Sequence, residues 1–135
     1  MLTINFIFIC LTNCPKPFFS FPALYANPRF NLTTVIDAHL PAAQSLATKF
    51  GVKDSFSSLA EAFTKDPLLA SNTAGIVISS PTFTHPELFQ LAAENKISIF
   101  TEKPVAATGM EGKKYKSNPR LLYSRGDSSC CDGRE

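Results

Sequence analysis

Hydrophobic residues in the middle of the chain follow two periods, one typical of buried strands and one typical of amphipathic helices. Continuous β-branched and apolar runs predict strands at 32–37, 75–79 and 97–101. Between these runs, apolar residues recur three and four positions apart, which is the spacing of one buried helix face. Strands that alternate with helices predict an α/β fold built on a parallel sheet, with helices on both faces.

The helix boundaries carry their own signals. Pro41 suits a first helical turn, and Gly51 stands where a left-handed residue often ends a helix. Ser58–Glu61 and Thr84–Glu87 both fit the capping box, in which a hydroxyl and a carboxylate satisfy the free N–H groups at a helix start. A short extended piece at 52–56 separates the first two helices.

Both ends of the chain differ from this middle segment. Residues 1–26 are apolar and proline-rich: the run at 1–12 suits a strand buried on both sides, and three prolines make 14–22 an extended connector. The run at 1–12 lacks the positive n-region of a secretory signal, so a cytoplasmic location is expected, with the signal alternative left open. Residues 109–135 are rich in Gly, Ser, Lys and Arg, which predicts a disordered tail. The ordered domain is therefore expected at 27–108.

Composition and charge exclude several classes of protein. A chain of 135 residues with 44% hydrophobic and 18% charged residues can form one domain, and no apolar run is long enough to span a bilayer. The net charge of +2 is spread along the chain, which excludes the concentrated basic face of a nucleic-acid-binding protein. The cysteines lack zinc-ligand spacing, so no metal site is expected. They are predicted to be unpaired thiols in disordered ends: Cys10, Cys14, Cys130 and Cys131.

Candidate site residues follow the predicted strands, because parallel sheets bind ligands beyond the carboxyl ends of their strands. Asp37 is placed either to accept both hydroxyls of an adenosine ribose, which would favour NAD over NADP, or to cap the following helix. The hydroxyl-rich segment 79–84 either binds a ribose or an anion, or only caps the helix that follows it. His85 is either a hydrogen-bonding site residue or a solvent-facing first-turn residue. Lys103 is either a cation over a substrate hydroxyl or the partner of Glu102 in a surface ion pair.

Four segments together resemble the Gfo/Idh/MocA oxidoreductases, most closely their myo-inositol 2-dehydrogenase-like members. They are Val35-Ile36-Asp37, the helix from Ala43 to Gly51, the run Ile76 to His85 with its Pro-Thr-x-x-His signature, and Phe100 to Ala106 with its Glu-Lys-Pro signature. The resemblance covers about residues 27–108. It implies a partial Rossmann-like domain that binds NAD, with NADP less favoured, in an enzyme that oxidises a CH–OH group of a cyclic polyol or sugar.

The resemblance also implies roles for single residues. Asp37 would bind the adenosine ribose, Glu102 would lie by the nicotinamide ribose, and Lys103 would be the catalytic residue at the substrate hydroxyl. The groove beside the cofactor would be lined by Ser79, Ser80, Pro81, Thr82 and His85. The implied partners are the dinucleotide and a small polyol, and the formation of a homo-oligomer is left open.

The chain also departs from the family. The family opens with a strand and a Gly-x-Gly-x-x-Gly turn, but this chain has no glycine before Gly51. The run at 3–11 is the available substitute for the first strand, and it would bring Cys14-Pro15-Lys16-Pro17 to the diphosphate position. The family's C-terminal substrate domain is also missing. These departures predict a fragment of a longer dehydrogenase, or a faulty gene model, that binds NAD poorly and is inactive alone.

Two other functions remain open from the sequence. The first is an interaction subunit that pairs an open sheet edge with an intact homologue. The second is adhesion through Arg125-Gly126-Asp127, a tripeptide short enough to occur by chance.

Overall fold

The computed structural model describes residues 3–10, 24–101, 106 and 119–123. Its sheet has six strands in the order β3-β2-β1-β4-β5-β6, and every neighbouring pair is parallel. The strands are β1 (Ile4–Cys10), β2 (Phe30–Ile36), β3 (Asp54–Phe56), β4 (Gly75–Ser79), β5 (Ser98–Thr101) and β6 (Leu121–Tyr123). The helices are α1 (Leu40–Lys49), α2 (Leu59–Lys65), α3 (Leu69–Asn72) and α4 (His85–Glu94), with a 3₁₀ turn at Thr82–Thr84. The predicted α/β class and parallel Rossmann-like order are confirmed.

The apolar run at the start of the chain forms the central strand of the sheet. β1 pairs with β2 on one side and with β4 on the other. The run at 3–11 thus takes the place of the family's first strand, as the sequence suggested, because a run apolar on both faces suits a strand covered from both sides. Residues 4–10 belong to the same sheet as the strands of the segment 27–108. Both inner edges are paired with β1, so the open edges of the described sheet are those of its outer strands, β3 and β6.

Helices cover both faces of the sheet, and the sheet separates two hydrophobic core clusters. On one face, Ile7 and Ile9 of β1 pack with residues of α2 and α4, including Leu59 and Phe89. On the other face, Phe6, Phe8 and Cys10 pack with Ala43 and Ala47 of α1. Alternate residues of β1 thus enter different clusters, as the period of a strand requires. The prediction of helices on both faces is confirmed.

Three of the four predicted helix boundary signals operate as expected, and Pro41 lies in the first turn of α1. Gly51, with φ +67°, follows α1 in the left-handed conformation that glycine adopts at little cost. Ser58 Oγ accepts the Glu61 N–H at 3.1 Å, and Glu61 Oε2 accepts the Ser57 N–H at 3.0 Å. The capping box predicted at Thr84–Glu87 is wrong, because Thr84 has helical backbone angles in the 3₁₀ turn and its hydroxyl donates to Pro81 O at 2.7 Å.

A short strand lies within the tail that the sequence predicts to be disordered. β6 pairs with β5, and the Ile99 N–H donates to the carbonyl of Arg120 at 2.8 Å. A parallel edge strand needs only backbone hydrogen bonds to join a sheet, and 121–123 is the apolar run of this tail. The predictions on Cys14, Cys130, Cys131 and the Arg-Gly-Asp tripeptide lie outside the described residues. Among the residues that are described, no helix is long and apolar enough to cross a membrane.

Candidate functional site

The carboxyl ends of β2, β1 and β4 form a rim on which three polar residues lie side by side. Cys10 is the partner of Ser79 across β1 and β4, and Asp37 follows Ile36, the partner of Ile9. Neighbouring strands lie about 4.8 Å apart, so Asp37, Cys10 and Ser79 occupy adjacent positions. The strand order reverses between β1 and β4, and doubly wound sheets bind ligands at such a switch point.

Asp37 is a buried carboxylate with only 1% of its surface exposed. Its Oδ1 accepts the His39 N–H at 2.9 Å, its Oδ2 accepts the Cys10 thiol at 3.5 Å, and its own N–H donates to Phe56 O at 3.2 Å. The bond to His39 supports the entry into α1, although Asp37 does not cap that helix directly. The geometry is therefore compatible with both roles considered for Asp37, binding an adenosine ribose and supporting the start of the next helix, because the carboxylate lies at the rim and also contacts the helix entry.

The segment that follows β4 is held by its own hydrogen bonds. The Thr84 hydroxyl donates to Pro81 O, so the Ser80 hydroxyl at 2.7 Å from Thr84 Oγ1 is the donor of that second bond. His85 is 2% exposed, and its Nε2 donates to Ser80 O at 3.0 Å. The solvent-facing alternative for His85 is therefore wrong.

Six of the eight predicted site residues lie at this one edge of the sheet. Ser79 and His85 are buried, while Ser80, Pro81 and Thr82 are half-buried on the turn between β4 and α4. Asp37 completes the group at the end of β2. Glu102 and Lys103 lie outside the described residues, which reach the rim at Thr101, the partner of Ile78.

Cys10 is a rim residue that the sequence analysis assigned to a disordered end. It is only 7% exposed and belongs to the core cluster beneath α1. The alternation of Ile4, Phe6, Phe8 and Cys10 indicated its face, and the strand order 3-2-1 would have placed it beside Asp37. Its contact with Asp37 joins residues 27 positions apart, which no local pattern encodes.

The adenosine ribose is the part of a dinucleotide for which the described rim offers a suitable side chain. A carboxylate at the end of β2 suits an adenosine ribose, but at 1% exposure the groups that cover it must move aside for a ligand. The chain between Cys10 and Leu24, where a diphosphate would be bound, contains three prolines and no glycine. Proline has no N–H to donate, so these three positions offer a phosphate no backbone donor.

One carboxylate at the same edge of the sheet has a shifted pKa. The Lys65 ammonium lies 2.8 Å from Glu61 Oε1, and the hydroxyl and N–H of Ser57 donate to Oε2. These contacts, the lysine first, lower the pKa of Glu61 from 4.5 to about 2. The group is partly exposed and holds the start of α2, so it serves the fold.

The opposite edge of the sheet contains an apolar cavity of about 480 Å³. Its walls come from the amino ends of the strands and from Leu24, and include Ile4, Phe6, Phe30, Gly75 and Phe100. None of the described residues that line it is charged. Within the described ranges, no group of three or more His, Cys, Asp or Glu residues could hold a metal ion.

Comparison with protein-family models finds one match. Residues 17–118, well over half of the chain, match the Gfo/Idh/MocA oxidoreductase family with its NAD-binding Rossmann fold. A search of curated protein sequences found no significant match.

Solved structures share the fold. A myo-inositol dehydrogenase from Corynebacterium glutamicum is 26% identical with a TM-score of 0.73, over 91% of this chain and 36% of that one. GenD2 from gentamicin A biosynthesis, solved with NAD, is 20% identical with a TM-score of 0.72, over 92% of this chain and 35% of that one. KijD10, a 3-ketoreductase from Actinomadura kijaniata solved with NADP, is 18% identical with a TM-score of 0.67, over 83% and 32%. The chain thus spans about one third of the length of these structures.

Proposed function

Because the chain belongs to the Gfo/Idh/MocA family of oxidoreductases and forms its NAD-binding Rossmann domain, we propose that its rim binds the adenosine half of NAD and contributes little to binding the diphosphate. The observation that carries this proposal is the Asp37 carboxylate at the carboxyl end of β2, beside the switch point of the sheet. In such sheets an acidic residue at this position accepts hydrogen bonds from the ribose hydroxyls.

The charge of Asp37 also favours NAD over NADP. A carboxylate beside the ribose repels a 2′-phosphate, and a buried carboxylate does so across a medium that screens charge poorly. The solved structures include complexes with each cofactor, so the preference rests on this side chain and not on the fold.

The other predicted site residues have roles that follow from the family resemblance. Ser79, Ser80, Pro81, Thr82 and His85 would line the groove beside the cofactor. Glu102 would lie near the nicotinamide ribose, and the Lys103 ammonium would hold the substrate hydroxyl and assist movement of its proton. NAD, when bound, supplies the acceptor for a hydride from a CH–OH carbon.

The substrate class that we propose is a cyclic polyol or sugar. Its support is the sequence resemblance together with the 26% identity to the Corynebacterium glutamicum enzyme. We also propose that the chain does not turn over alone, because three prolines in the segment after β1 remove N–H donors that a diphosphate could use. Incubation with NAD and myo-inositol should then give no NADH absorbance, and measurable turnover would contradict this part.

Isothermal titration with NAD, ADP-ribose and adenosine tests the binding proposal. We expect weak binding, with Kd on the order of 0.1–1 mM, and affinities for the three ligands within about threefold of each other, because the diphosphate adds little. Asp37→Ala should abolish this binding. Asp54→Ala is the matched control, because it removes an exposed carboxylate from β3 and should leave binding unchanged.

Two results would contradict the proposal in different ways. An affinity for ADP-ribose about 100-fold above that for adenosine would mean that a working diphosphate site exists. Failure of NAD and adenosine to bind at all, by a chain shown to be folded, would mean that the rim is not an adenosine site.

A further inference from the structure

The Cys10 thiol holds one oxygen of the Asp37 carboxylate while the backbone holds the other. Cys10 Sγ lies 3.5 Å from Oδ2, and the His39 nitrogen lies 2.9 Å from Oδ1. Both side chains are buried, with 7% of Cys10 and 1% of Asp37 exposed. The carboxylate is thus held from two elements, the end of β1 and the entry to α1.

Contacts on separate oxygens restrict the rotation of the carboxyl plane. The terminal torsion of an aspartate is otherwise broad, so a single contact would leave the plane free to turn. Cys10 is itself fixed, because β1 is paired on both sides and the thiol packs in the core cluster beneath α1. A ligand at the rim therefore meets the carboxylate in one orientation.

We infer that Cys10 is a positioning residue that orients Asp37 toward the ribose hydroxyls and so sets the discrimination between NAD and NADP. This inference rests on the proposed function. A thiol is a weak donor, so its contribution is the orientation of a stronger group. Alanine at this position removes the donor, whereas serine retains one on a shorter side chain.

Titration of the wild-type chain, Cys10→Ala and Cys10→Ser with NAD and NADP tests the inference. Cys10→Ala should weaken NAD binding about threefold to tenfold, as expected for the loss of one weak hydrogen bond. NADP affinity should fall less than NAD affinity, because a carboxylate held less firmly toward the ribose also opposes the 2′-phosphate less. Cys10→Ser should recover more than half of the lost NAD affinity.

Two results would overturn the inference. One is a Cys10→Ala chain that binds NAD as the wild-type chain does. The other is an equal loss of NAD and NADP affinity in both variants, which indicates a packing role. Thermal unfolding by circular dichroism verifies that each variant is folded.

The infrared S–H stretching band separates failure of this inference from failure of the proposed function. The Cys10 band is obtained as the difference between the wild-type chain and Cys10→Ala, and it should move when Asp37→Ala removes the acceptor. If the wild-type chain binds no NAD, the proposed function fails and the ribose role of Cys10 fails with it. In that case, a band that still moves in Asp37→Ala shows that the thiol contact exists and that only the proposed cofactor site is wrong. A band that does not move shows that the thiol contact itself is absent.

Discussion

The imidazole of His85 donates from Nε2 to the carbonyl oxygen of Ser80 at 3.0 Å. This bond ties the first residue of α4 back to the residue that follows β4, across the turn that carries Pro81 and Thr82. The ring also lies 5.3 Å from that of Phe89 in the core. His85 thus holds the turn together with the hydroxyls of Ser80 and Thr84.

We expect His85→Ala to lower the free energy of unfolding by about 2–3 kcal/mol, because it removes a buried ring and a hydrogen bond. Urea unfolding followed by circular dichroism measures the change. Ser80→Ala is the control: it removes the hydroxyl but keeps the carbonyl, and should cost less than about 1 kcal/mol. A His85→Ala chain as stable as the wild-type chain would contradict the assignment.

Adjacent threonines on β2 should respond to valine with opposite signs. Thr34 is fully buried, and its hydroxyl has no hydrogen-bond partner among the described residues. The Thr33 hydroxyl donates to Phe6 O at 3.2 Å, at the point where the pairing of β1 and β2 shifts by one residue. Thr34→Val should raise the free energy of unfolding by about 1 kcal/mol, and Thr33→Val should lower it by about the same amount. Urea unfolding measures both changes in the free energy of unfolding. Changes of the same sign in the two variants would contradict the different environments assigned to the two hydroxyls.

Two glycines form a second matched pair. A Cβ on Gly75 would meet Ser98 O at 3.6 Å, an ordinary contact beside the apolar cavity, whereas Gly51 has φ +67°. Gly75→Ala should raise the free energy of unfolding by about 0.5–1 kcal/mol by restricting the unfolded chain. Gly51→Ala should lower it by about 1 kcal/mol, because alanine is strained in the left-handed region. A destabilised Gly75→Ala chain would show that the strand start tolerates no side chain.

The start of α2 should lose stability in acid. The pKa of Glu61 is lowered from 4.5 to about 2 by Lys65 first and then by Ser57. A carboxylate with a lowered pKa stabilises the folded state above the pKa of the unfolded chain, and this stabilisation is lost as pH falls from 4.5 to about 2. The stability difference between the wild-type chain and Glu61→Gln should therefore be full above pH 4.5 and decrease below it. Salt should reduce the difference, because Lys65 is largely exposed. A difference independent of pH would contradict the pKa assignment.

Short-range features were predictable where the residues involved lie within one turn of each other. The period of the apolar residues predicted α1, α2 and α4, and Gly51 and the Ser58–Glu61 box ended or began them as expected. The capping prediction at Thr84 failed because a 3₁₀ turn gave that residue helical angles. Asp37 and the segment 79–82 were found because residues after buried strands collect at one edge of a parallel sheet.

The amino-acid sequence alone established the α/β class and six residues of the rim. Apolar runs, helix caps and the residues that end strands are local patterns, and each is visible within a few positions of the chain. The sequence did not establish that Ile4–Cys10 lies at the centre of the sheet, or that the Cys10 thiol contacts a carboxylate 27 residues away. Those features arise from strand pairing and burial, which depend on segments far apart in the chain being packed together. The same packing buried His85 and left the Thr34 hydroxyl in an apolar environment, because a side chain's surroundings are set by its neighbours in space.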